Sequence, residues 1–85
     1  MGDNDISATI LYTNGVEEKA VISRGGTQIR RIILGRPKEI KRDGLRIIFN
    51  SEGSMIGLPV NSKATSLAGL TVVGPAIIID ERKSK

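Results

Sequence analysis

The sequence predicts a small α+β domain: an antiparallel β-sheet of five to seven short strands with one or two short helices. Three observations carry this. Apolar and β-branched residues fall in short alternating runs. Clusters of Gly, Asn, Asp, Ser and Pro separate those runs at hairpin and cap spacings. Most connections are too short to carry a parallel crossover.

Ile6, Ala8, Ile10 and Tyr12 alternate with Ser7, Thr9 and Thr13, which is the pattern of a half-buried strand; Leu11 breaks it. Val16 to Ile22 reads as a second strand. A two-residue Asn14-Gly15 turn would place Ile10 opposite Lys19 and Tyr12 opposite Glu17. A three-residue loop instead sets Tyr12 against Val16, Ala8 against Ala20 and Ile6 against Ile22, with Ile10 meeting Glu18. The second register keeps most apolar groups on one face, and Gly15 then takes the left-handed position of a bulged turn.

Ser23-Arg24-Gly25-Gly26 ends that strand, and Thr27 is a good N-cap for a helix from Gln28 to Leu34 that Gly35 stops. Ile29, Ile32 and Ile33 lie at helical spacing and face the core, while Arg30 and Arg31 point outward or flank the stripe. Pro37 forbids continuation. Lys38–Arg42, Asp43-Gly44 and Leu45–Phe49 form a hairpin on a two-residue turn. Its register pairs Ile40 with Ile47 and sets Lys41 directly opposite Arg46. Like charges across a ladder repel, so either the side chains splay into water or an anion sits between them.

Ser54-Met55-Ile56 reads as a short returning strand. Asn61 or Ser62 caps a helix to Ala68, which Gly69 stops. Leu70–Val73 and Ala76–Ile79 read as two short strands or one bent edge strand around Gly74-Pro75. The chain is expected to be one domain, 1–85, with flexible termini at 1–5 and 80–85.

Composition narrows the chemistry. There is no histidine and no cysteine. Serine–histidine and cysteine–histidine nucleophiles, disulfides and thiolate metal sites are therefore excluded. No paired carboxylates stand at hydrolase or hard-metal spacing, so we expect no enzyme, no catalytic residues, no metal and no cofactor. The formal charge of +4 favours an anionic ligand or an acidic protein face, though it also serves plain solubility. Tyr12 and Phe49 are the only aromatics, too few for a base-stacking platform, so nucleic acid is allowed but not favoured. No segment approaches the ~20 apolar residues of a membrane span. The acidic start, Gly2-Asp3-Asn4-Asp5, is unlike a signal peptide. A cytoplasmic location is expected, and exposed sheet edges allow a homo-oligomer.

Two candidate sites follow. Arg24, Gly25, Gly26 and Thr27, with Arg30 and Arg31 in the helix behind them, could cradle phosphate oxygens; the plain alternative is a strand-to-helix loop with a threonine cap. Lys41 and Arg46, with Arg36, form a basic hairpin face; the plain alternative is a solvated sheet edge on which lysine discourages strand addition. The Asn50–Asn61 segment reads as turn formers.

Phe49-Asn50-Ser51-Glu52-Gly53, Gly57-Leu58-Pro59-Val60-Asn61 and Val73-Gly74-Pro75-Ala76-Ile77-Ile78 resemble a small family of uncharacterised domains in bacteria, phages and plasmids. That pattern is N-x-E-G, then G-L-P-x-N, then a closing glycine strand. The resemblance implies a small α+β domain and a mobile-element origin, and lends no activity. Ser51 departs from it, since the family often carries a second acidic residue there. The expected function is a non-catalytic protein that binds a phosphate-bearing small ligand, such as a nucleotide signal, and withholds it from a host defence system in the host cytoplasm. The alternatives are a protein- or nucleic-acid-interaction module that blocks a host enzyme, and a structural or assembly protein.

Overall fold

A computed structural model describes residues 5–23, 28–53 and 55–81. Five strands and two helices follow in the order β1 (Asp5–Leu11), β2 (Glu17–Ser23), α1 (Gln28–Ile33), β3 (Pro37–Arg42), β4 (Leu45–Asn50), α2 (Ser62–Ala68) and β5 (Ala76–Asp80). They build one sheet in the order β2-β1-β5-β4-β3, with every pair antiparallel. The α+β expectation therefore holds.

Both hairpins close as their turn residues dictate. In the first, Tyr12 N donates to Val16 O at 2.9 Å, and Ala8 faces Ala20 while Ile6 faces Ile22. This is the three-residue loop, with Gly15 left-handed at φ 91°. In the second, Asp43 and Gly44 both have positive φ, 54° and 80°, as a two-residue type I′ turn requires. Lys41 does lie opposite Arg46.

The two helices cover opposite faces of the sheet. Ile33 of α1 packs with Ala8, Ile10, Ile22, Ile48, Ile77 and Ile79, while Ile29 and Ile32 are only partly buried. Ala64 and Ala68 of α2 pack with Leu11, Ile47, Phe49, Val72, Ala76 and Ile78. Consecutive residues of β4 and β5 are buried, so these strands read as unbroken apolar runs rather than alternations. Leu11 breaks the alternation of β1 for the same reason: it belongs to the α2 side.

Several local expectations are corrected. Ala76–Ile79 is no edge strand: β5 inserts between β1 and β4, at the centre of the sheet. Leu70–Val73 forms no strand and contributes only an isolated bridge, Val60 to Val73. Met55 and Ile56 lie in turns, not in a returning strand. Leu34, not Gly35, takes the left-handed position after α1, at φ 70°, and Gly35 N closes the turn on Arg30 O at 3.0 Å. The second helix follows expectation: Asn61 caps it and Gly69, at φ 75°, ends it.

Residues 49–53, residues 57–61 and the stretch from Val73 meet in one loop cluster. Asn50, 3% exposed, donates from Nδ2 to the carbonyls of Ile33 and Leu34 at 3.2 and 3.0 Å. Its Oδ1 accepts from Glu52 N at 2.7 Å. Asn50 thus satisfies the carbonyl end of α1 and shapes the turn after β4. Asn61, fully buried, donates to Leu11 O and Gly74 O, each at 2.9 Å, and accepts from Ala64 N at 3.1 Å. Gly74 N donates to Pro59 O at 2.7 Å, and Asn61 N to Val72 O at 2.8 Å. Gly53 lies tightly against Val73. These contacts hold the fold together.

Candidate anion-binding surface

Residues 28–42, spanning α1 and β3, carry six cations and one carboxylate. Their local charge of +5 exceeds the +4 of the whole chain, so the rest of the molecule is slightly acidic. The concentration has a structural cause. β3 is an edge strand, exposed everywhere but at Ile40, so its side chains can be charged without desolvation.

The cations divide into two groups. Arg46 is occupied: its Nη2 lies 2.6 Å from Glu81 Oε2, and its Nε lies 3.2 Å from Glu39 Oε2. The second contact is an ion pair without hydrogen-bond alignment, because Nε is buried and has no hydrogen-bond partner. The anion that the Lys41–Arg46 juxtaposition calls for is thus supplied from within the chain, by the strand-diagonal Glu39 and by Glu81 just after β5. Arg42 lies against the C-terminal end of α2, beside Gly69, and contacts Asp43 at 3.7 Å. A cation there complements the helix dipole.

The second group is free. Arg30, Arg31, Arg36, Lys38 and Lys41 are exposed, and none forms an ion pair among the described residues. Of the sequence-predicted candidates, Arg30, Arg31, Arg36 and Lys41 belong to this group and Arg46 does not. Arg24, Gly25, Gly26 and Thr27 lie outside the described residues. Lys38 was not singled out from sequence. Its signal is its place in an edge strand of alternating charges, which becomes legible only once β3 is known to be an edge.

One open groove, about 1200 Å³, lies on the α2 side of the sheet, with Thr9, Lys19, Val21, Lys63, Leu67 and Ile78 among its lining residues. Lys63 is not free there: it donates to Gly15 O at 2.9 Å and Glu17 Oε2 at 2.7 Å, pinning α2 to the first hairpin. Among the described residues no three His, Cys, Asp or Glu side chains gather as a metal site. Nor is any helix among them long and apolar enough to cross a membrane.

No family model, no curated protein and no solved structure matches the chain.

Proposed function

We propose that the chain is a non-catalytic binding protein for a phosphate-bearing partner, held by the exposed cations Arg30, Arg31, Arg36, Lys38 and Lys41 of α1 and the edge strand β3 with its approach. The observation that carries this reading is the set of cations without internal partners on an edge strand and its flanking helix. Guanidinium groups take phosphate oxygens two at a time and lysines add point charges. The chain offers no histidine or cysteine for chemistry on the ligand, and its Glu39 and Glu81 carboxylates are engaged by Arg46. Such a protein acts by occupancy. In the phage or mobile-element setting that the motif resemblance suggests, it withholds a nucleotide signal from a host defence system or blocks a host enzyme.

The test is titration of a nucleotide panel and of a short labelled DNA duplex against the wild type and the Lys38→Glu/Lys41→Glu variant. Both positions are exposed, so the variant keeps its fold. The expected result is saturable binding that the variant weakens at least about tenfold. If the duplex is the ligand, the slope of log affinity against log salt falls by about two in the variant, one for each lost phosphate contact. A nucleotide that binds while the duplex does not identifies a small-ligand site. Absence of binding to either probe at high micromolar concentration and low salt would overturn the reading, as would unchanged binding in the variant.

A further inference from the structure

We propose that a second copy of this chain adds to the outer edge of β2, antiparallel and centred on Ala20, so that two sheets join into one.

The sheet has two edges, β2 and β3, and they are built differently. The bond from Tyr12 N to Val16 O sets which backbone groups of β2 face β1. Hydrogen-bonded pairs alternate along an antiparallel ladder, so Glu18, Ala20 and Ile22 bond inward. Glu17, Lys19 and Val21 then turn N–H and C=O outward; the Val21 carbonyl accepts a long bond of 3.4 Å from Gln28 Nε2, which the added strand's Lys19 N–H would replace. On β3, the two-residue turn makes Arg42 and Leu45 the closing pair, so Pro37, Glu39 and Lys41 face outward. Pro37 has no N–H to offer, and four of the six residues in β3 are charged. That edge is guarded against strand addition. The Ala20-Val21-Ile22 half of β2 has neither charge nor proline, and Val21 is 59% exposed.

Charge then selects the occupant and the register. A twofold axis perpendicular to the sheet keeps each face on its own side, so even-numbered residues pair with even. Centring on Glu18 or on Lys19 sets like charges directly opposite each other, which is unfavourable. Centring on Val21 leaves Glu17 and Glu18 without a partner in β2. Centring on Ala20 sets Lys19 against Val21 and Glu18 against Ile22, and uses all seven residues of the strand. Lys19 and Val21 lie on the α2 side, where both line the open groove. Each Val21 is then covered by the aliphatic stem of the partner's Lys19, and the two grooves run together across the axis. A chain this short buries a smaller fraction of its surface alone than a larger domain does, so the added ladder is a sizeable gain.

Sedimentation equilibrium of the full chain tests this, at concentrations up to about 1 mM, where even millimolar dimers are half formed. The expected mass is twice the 9.1 kDa of the chain. In Val21→Pro the mass falls to that of one chain with the circular dichroism unchanged, because the Val21 N–H points away from β1 and takes no part in that ladder. Should Val21→Pro fail to fold, Val21→Lys decides: it opposes Lys19 of the partner and weakens the dimer at least about tenfold. A wild type that stays monomeric throughout overturns the proposal. So does a folded Val21→Pro or Val21→Lys chain that dimerises as tightly as wild type.

Discussion

Replacing Asn61 with Asp changes one group of atoms and no volume, so it isolates what the buried amide contributes. In the native chain, Asn61 Nδ2 serves two carbonyls, Leu11 O and Gly74 O, each at 2.9 Å, and the residue is wholly buried. In Asn61→Asp an acceptor oxygen faces those two acceptors. Both carbonyls lose the Asn61 donor, and a carboxylate is enclosed among them. Leaving a buried group unsatisfied costs about 1–3 kcal/mol, more when charged, so the loss at neutral pH is about 3–5 kcal/mol. A domain of this size has a total stability of about 4–13 kcal/mol, so the variant stands near its unfolding threshold. Acid should relieve part of the deficit. Below the ordinary aspartate value of about 3.9, the carboxyl is protonated in both states and can donate one of the two missing bonds. The gap between variant and wild type therefore narrows as pH falls. Urea unfolding followed by circular dichroism at neutral and acidic pH measures both effects. A loss below about 1 kcal/mol at neutral pH would refute the account of Asn61 as the tie between α2, β1 and the approach to β5. A gap that does not narrow in acid would refute its electrostatic part.

Two further outcomes are expected. Gly53→Ala places a methyl group 2.4 Å from Val73 Cγ2 and should cost about 1–3 kcal/mol by overpacking; Val73→Ala in the same chain removes the clash and returns part of that loss, which a double-mutant cycle in urea reads directly. Tyr12 should titrate above its ordinary 10.0, chiefly because its hydroxyl donates to Glu18 Oε1 at 2.7 Å, with desolvation and the Glu18 charge adding to the rise. A raised folded value means that this stabilisation is present below the unfolded value and is lost as pH climbs through the folded one. Ultraviolet titration of the phenol should show Glu18→Gln bringing it back toward 10.0, and no change in that variant would count against the bond.

The local rules proved sufficient wherever neighbouring residues decide the outcome. The three-residue loop at Tyr12–Val16, the Asp43-Gly44 turn and the Asn61 cap with its Gly69 stop are all legible, because turn chemistry and side-chain alternation act over a few residues. The end of α1 was less so. Leu34 accepts the left-handed conformation because Asn50, sixteen residues away, holds its carbonyl and leaves only glycine room at position 35. That is a tertiary cause with no local mark.

The basic surface divides in the same way. Composition alone says that the chain is cationic, that it lacks histidine and cysteine, and that its charge favours an anionic partner. Which cations are free is a matter of neighbours brought together by the fold. Arg46 looked unpaired beside Lys41, yet Glu81 reaches it only because β5 threads between β1 and β4 and ends next to the β3–β4 turn. The same insertion leaves β2 and β3 as the edges. Strand order is set by burying two apolar faces under two helices at once, a condition on the whole chain. A sequence read along its length shows the strands, turns and charges, and only that packing decides which of them meet.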